Sequence, residues 1–469
     1  MRNTLVLLIA LATVAFDSHA DDSIRRTAEQ LRERALDDAT AWQIVESLST
    51  EIGPRPVGSP AMERARDWGI TTLKALGLQN VVAEEFIKED AWFRGAESAK
   101  VTAPYPHTLS ILGLGNSAPT PTSGLEGEIV LFASIEDLAA VPDGSLAGRI
   151  AVLNRQITGA QGEFGYRDAA RGRREGPSLA AAKGAIAFLM RSASTSMVRL
   201  PHTGATRYAE GAPRIPAAAL AVPDADLLQR LVARGVPVRI HISLASTVVP
   251  QTKAWNVIGE LPGRQNPDEL IVIGGHLDSW DVAESATDDA AGIAICAAAT
   301  HLIANLPGRP KRTIRVVLWG SEETGGSGAA YLERHRDEIP QMVFASEADL
   351  GSGRIYQVAL SDDVWVDPRF VDLAAVLAPL GIFVRHEPAT FAGSDVEDLR
   401  KVGVPVVRLS QDARQYFDTH HSADDTLNKV NRADLNQNVA AWAALLYIFA
   451  ESDVVLRATA SQNGSTPRN

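Results

Sequence analysis

The chain has 469 residues, 45% of them hydrophobic and 22% charged, with a formal net charge of −12. This composition excludes a disordered or collagen-like chain and leaves ample length for a sizeable core. The acidic balance argues against wrapping nucleic acid or adhering to an anionic membrane. The single cysteine, Cys296, excludes an internal disulfide and a cysteine-rich zinc site, so any metal must be held by imidazoles and carboxylates.

Arg2, the apolar run from Leu5 to Phe16 and the small residues around Ala20 read as a signal peptide over residues 1–20. The run is too short to span a bilayer, which takes about 20 apolar residues. The mature chain is therefore expected to be secreted or periplasmic, with no stable membrane anchor. Residues 21–97 open the main unit: a helix over 22–49, a Gly/Pro-rich loop at 52–60, a helix over 62–76 and a strand over 81–86. Residues 98–250 change character, with short apolar runs at 127–132, 148–153, 184–189, 215–220 and 236–242 among glycines and prolines. Helices are expected there at 178–183 and 225–234. The stretch resembles an inserted β-rich, protease-associated-like domain. Over 251–460, strands at 269–274, 313–319, 341–345 and 405–409 alternate with helices at 290–303, 327–339, 370–380 and 433–450. The expected fold is α/β, a mostly parallel mixed sheet flanked by helices. The polar tail 461–469 is expected to be disordered.

The residues that carry chemistry follow the apolar strands. His276 and Asp278 end one strand, and Asp288 with Asp289 precedes the next helix. Glu322 and Glu323 follow the second strand, Asp349 the third, and His420 and His421 lie near the C-terminus. Loops at the carboxyl ends of strands converge on one rim of such a sheet. So many carboxylates cannot share a cleft as free ions, and cations resolve the conflict. Imidazole with carboxylate suits zinc, with Co2+ or Mn2+ as substitutes, and two ions fit this many ligands better than one. Taken singly, each motif is weak: a lone His-x-Asp usually makes ordinary hydrogen bonds and a Glu-Glu pair is usually solvated. Their succession at consecutive strand ends carries the reading.

Together, His276-Leu-Asp278, Asp288-Asp-Ala-Ala-Gly292, Glu322-Glu323, Asp349 and His421-Ser-Ala-Asp-Asp425-Thr resemble the zinc aminopeptidase family, which also contains glutamate carboxypeptidases. The His-His-Ser and Glu-x-Asp-x-Gly forms, with the inserted module, are most similar to its carboxypeptidase Q branch. The resemblance implies the zinc exopeptidase fold and two Zn2+ per chain. It implies that Asp288 bridges both metals, His276 and Asp349 complete one site, and Glu323 and His421 complete the other. It makes Glu322 the general base toward a metal-bridging hydroxide, and Asp278 the partner fixing the His276 tautomer. It further implies hydrolysis of small peptides, especially dipeptides with a free terminus, and is compatible with a homodimer. His420 is a candidate for the oxyanion or for plain packing, and Ser394 and Asp395 for a peptide terminus or a capped turn. Arg408 and Arg414 are candidates for a substrate carboxylate or plain surface charge. The remaining histidines read as structural. Two rival readings are a single-zinc glutaminyl cyclase, which the presence of His276 and Asp349 disfavours, and a non-catalytic receptor-like protein, which Glu322 disfavours.

Overall fold

The computed structural model describes residues 22–158, 161–162, 164–360, 371–454 and 456. The expected signal segment and the expected disordered tail lie outside the described residues. No described helix is long and apolar enough to cross a membrane.

The main sheet has five strands in the order Gln79–Phe93, Thr247–Leu261, Arg312–Trp319, Asn266–His276, Met342–Glu347. The last three are parallel and the first two antiparallel, so the sheet is mixed as expected. Its strands alternate between two cores. Ile271, Ile273, Ile314, Val316 and Leu318 face one, with the helices Ala291–Ala304 and Arg432–Glu451. Leu270, Val272, Val317 and Trp319 face the other, against Tyr331 and Leu399. Burial on both faces explains why these strands read as continuous apolar runs. A second, three-stranded sheet of Phe383–His386, Ile355–Leu360 and Arg408–Gln411 adjoins through a bridge from Ala345 to Val406.

The stretch 97–244 forms a separate eight-stranded sheet. Four strands at its centre, Leu125–Phe132, Ile150–Leu153, Ala187–Arg191 and Ala217–Leu220, are parallel. The helices Phe164–Ala182 and Val222–Val232 pack with it.

Several local expectations differ, among them the helix expected at 178–183, which begins at Phe164. The helix expected over 22–49 breaks at 37–39 and resumes at Thr40–Ser47, ending in a π turn at Leu48–Ile52. The helix expected over 327–339 ends at Arg334 and continues as a 3-10 turn through Pro340. Pro250 does not end a unit but lies inside Thr247–Leu261, opposite Asp90. There the strand has a neighbour on one side only, since pairing on the other begins at Val257, and an edge position tolerates a residue without an N–H.

Candidate metal centre

His276 ends its strand at the sheet rim, and the chain then loops to Asp288 before the helix Ala291–Ala304. His276 Nε2 is 3.0 Å from Asp288 Oδ1 and 3.6 Å from Asp349 Oδ1. On the other side of the same carboxylate, Asp288 Oδ2 lies 3.2 Å from His421 Nε2 and 3.6 Å from His420 Nε2. Glu323 Oε2 is 3.0 Å from His421 Nε2. His276, Asp288 and Asp349 thus form one group with metal-ligand spacing, and Asp288, His420 and His421 a second. Asp288 belongs to both.

Buried side chains hold these ligands from behind. Asp425 accepts from Thr287 N–H and hydroxyl at 2.7 Å each and from Asp288 N–H at 3.0 Å. Asp289 accepts from His276 N–H and Gly292 N–H, each at 2.9 Å. A Cβ on Gly292 would fall 1.7 Å from the Ala348 carbonyl oxygen, and one on Gly275 2.4 Å from Asp289 Oδ2, so both glycines keep this turn close to the strand. The Arg55 side chain, fully buried, donates to the carbonyls of Leu277 at 2.6 Å, Gly53 and Glu284 at 3.2 Å each, and Ser285 at 3.4 Å. It ties the segment carrying His276 to the one carrying Asp288.

Asp278 acts differently from expectation. His276 Nδ1 donates to the Asp278 main-chain carbonyl at 2.9 Å, while the carboxylate lies 3.7 Å away. That carboxylate instead accepts from the N–H groups of Glu322 and Glu323, at 2.9 and 3.3 Å. The main chain fixes the tautomer, and the side chain fixes the two glutamates. On the far side of the glutamate loop, Lys88 Nζ donates to the Thr324 and Gly325 carbonyls at 3.0 and 2.8 Å.

His420 and His421 stack with ring centroids 3.6 Å apart, and His421 has a left-handed backbone, φ 61°. The eight-stranded unit supplies their supports, which the sequence reading did not find. His421 Nδ1 donates to the Thr203 carbonyl at 3.2 Å, which also accepts from Arg173 at 3.1 Å. His202, read as structural from sequence, donates from Nδ1 to the His420 carbonyl at 2.6 Å. No short motif marks Arg173, His202 or Thr203, because their role arises only where two sheets meet.

Burial dominates the electrostatics. It raises Glu323 to about 8, Asp349 to about 7, and Asp278 and Asp425 to about 6. Burial opposes the charged form of His276 too, but its hydrogen bonds to Asp288 and Asp349 outweigh that and lift it well above its ordinary value. His420 is pushed well down, by burial first and by His421 second. Burial likewise takes His202 down to about 4. Glu323 Oε1 is buried with no hydrogen-bond partner. A set of buried carboxylates, one with an orphaned oxygen, facing imidazole nitrogens fits divalent cations, and the nitrogen and oxygen donors suit zinc.

A cavity of about 650 Å3 opens onto this centre, lined by Glu322, Asp288, Asp349, Ser394, Asp395 and His420 among others. Ser394 is exposed in it. Asp395 is buried, with Oδ1 accepting from Ser327 hydroxyl at 2.5 Å and Gly328 N–H at 2.9 Å, and with Oδ2 lacking a partner. It caps the helix Ser327–Arg334 rather than the helix that follows it. Arg414 is taken up by Asp412.

The chain is similar over most of its length to known peptidases. Residues 256–446 match the model of peptidase family M28. Carboxypeptidase Q of Mus musculus is 34% identical over 413 residues, covering 87% of this chain and 85% of that protein. Carboxypeptidase Q of Homo sapiens is 33% identical over 412 residues, with the same coverage of 87% and 85%. The crystal structure of a peptidase M28 precursor from Shewanella amazonensis is 40% identical and superposes with a TM-score of 0.90, covering 93% of this chain and 99% of that one. An aminopeptidase from an Aneurinibacillus species, 20% identical, shares the fold with a TM-score of 0.62 over 92% of this chain and 98% of that one. The chain belongs to peptidase family M28 and is a metallopeptidase.

Proposed function

We propose that the chain is an exported exopeptidase that holds two zinc ions and cleaves small peptides with free termini. The observation that carries this reading is Asp288, whose two oxygens face separate donor groups. His276, Asp288 and Asp349 would hold one ion, and Asp288, Glu323 and His421 the other. When bound, such a pair polarises a scissile carbonyl and lowers the pKa of a water molecule. Glu322 takes a proton from the attacking water as its oxygen adds to the carbonyl carbon. It returns that proton to the amine nitrogen as the C–N bond breaks. Asp278 holds the Glu322 main chain in place for both transfers. We assign the oxyanion contact to His420, neutral through burial. Export rests on the signal segment at 1–20, and the inserted unit, expected over 98–250, is read as the stretch 97–244 that forms its own sheet.

The test is turnover of free dipeptides beside a peptide with N-terminal glutamine, using zinc-loaded protein and the Glu322→Gln variant. Cleavage of dipeptides, with a variant that keeps its zinc but not its turnover, supports the reading. Cyclisation of the glutamine peptide without dipeptide cleavage would replace it with the cyclase reading.

A further inference from the structure

The strand Gln79–Phe93 reverses the usual alternation at one step. From Glu85 to Asp90 the even-numbered residues are half-buried and the odd-numbered ones exposed. Lys88 is thereby turned inward and Ile87, 51% exposed, outward. The inward ammonium meets no carboxylate at ion-pair distance among the described residues. It donates instead to two main-chain carbonyls, Thr324 at 3.0 Å and Gly325 at 2.8 Å. An apolar side chain of the same length would suit that face without dehydrating a charge, so the charge stands there for the two carbonyls. The far end of the strand is anchored to both units. Trp92 Nε1 donates to the Ser117 carbonyl at 3.1 Å, and Arg94 donates to the Gly113 carbonyl at 2.6 Å and pairs with Asp281 at 3.0 Å.

The turn that Lys88 touches begins at Glu322 and is closed by the Gly325 N–H donating to the Glu322 carbonyl at 2.9 Å. On its other side the Asp278 carboxylate takes the N–H groups of Glu322 and Glu323. An anion therefore faces the N–H end of the turn and a cation its carbonyl end, the sense in which peptide dipoles are stabilised. Asp278 alone leaves the later half unheld. That half runs into Gly325 and Gly326, with φ 78° and 120°, and glycine restrains the backbone least.

We propose that Lys88 is a positioning residue for the general base: it fixes the turn Glu322–Gly325 against Asp278 and so sets where the Glu322 carboxylate stands. The proposal rests on the reading of Glu322 as the base and adds a residue that acts through it. Lys88 does not line the cavity, so its effect passes through the turn and not through substrate.

The experiment compares Lys88→Met and Lys88→Arg with the wild type, and adds Lys88→Met to Glu322→Gln. All are zinc-loaded. It reads kcat and KM on dialanine, zinc per chain, and hydrogen–deuterium exchange of the Glu322–Gly325 amides. In Lys88→Met, kcat should fall by about 10- to 100-fold while KM and zinc content stay within about 2-fold. Exchange in the turn should quicken by about 10-fold or more. Arginine, whose fork also reaches two acceptors, should restore most of both. On the Glu322→Gln background the residual kcat should change by less than about 2-fold, because the group that Lys88 positions is already gone. An equal fall on both backgrounds would show that Lys88 acts other than through Glu322 and would overturn the proposal. So would unchanged exchange in Lys88→Met, or a fall in kcat that only follows lost zinc. Full turnover by Glu322→Gln, or none by any of the proteins, would sink the reading of the base instead, and the exchange rates would still decide whether Lys88 holds the turn.

Discussion

Asp288 faces imidazoles on both of its oxygens, and it does so because its backbone is held elsewhere. Asp425 takes the N–H groups of Thr287 and Asp288. An amide at 425 would present a donor to donors, so Asp425→Asn is expected to weaken zinc binding by about 10- to 100-fold in a chelator competition, as other changes behind metal ligands do. Glu322→Gln should lower kcat by about 100- to 10,000-fold, the usual span for a lost general base, with zinc content unchanged. A second cluster, none of whose residues lines the cavity, makes stability depend on pH. His335 lies between Glu84 and Glu338, each at 3.0 Å, and Arg315 also binds Glu338. Burial opposes the charged His335, yet the two glutamates raise its pKa. Its contribution is therefore complete below the unfolded value near 6.5 and is lost as pH rises through the higher folded value. Glu338 is held down at about 2, chiefly by His335. Its contribution is complete above the unfolded value of 4.5 and is lost as pH falls toward 2. Urea unfolding of His335→Gln should thus lose the wild-type decline above pH 6.5. An unchanged decline would place its cause elsewhere.

At the scale of elements, the strands that position the centre were legible because both faces of each are buried. The runs ending at His276, Trp319 and Glu347 needed no alternation to be recognised. The antiparallel pair of Gln79–Phe93 with Thr247–Leu261 was only partly legible. Val82, Ile87, Val248 and Val249 are exposed, and Pro250 resembles a boundary. The residues brought together at the centre stand at strand ends and were legible there, while their division between two ions came from the family resemblance. The function of the Asp278 carboxylate was not legible, because a neighbouring main-chain carbonyl competes for His276 and sequence cannot rank the two. Asp395 shows the same limit, since its partner helix begins 68 residues earlier in the chain. Asp395→Ala should cost about 1–2 kcal/mol in thermal or chemical unfolding through loss of that cap. An unchanged midpoint would show that the helix start is held by other contacts.

Across the whole molecule, the centre is built by two sheets. The main sheet supplies the rim that carries His276, Glu323 and Asp349, while the stretch 97–244 supplies Thr203, Arg173 and His202 behind the paired histidines. That dependence escaped the sequence reading, which placed no site residue in the inserted unit. It also explains why His202 is held neutral: a proton acquired there would sit beside His421 in a buried setting. His202→Ala leaves the His420 carbonyl without its donor, and kcat should fall by about 10-fold or more through misplacement of the adjacent rings. Unchanged kcat would mean that the stacking of the two imidazoles suffices to orient them.

The central claim is that Asp288 joins two cation sites. Zinc per chain, counted by native mass spectrometry on the wild-type protein and on His276→Ala, tests it most directly. The account predicts two zinc ions in the wild-type protein and one in the variant, because Glu323, His421 and Asp288 remain. A wild-type protein that binds a single ion at saturating zinc would contradict it.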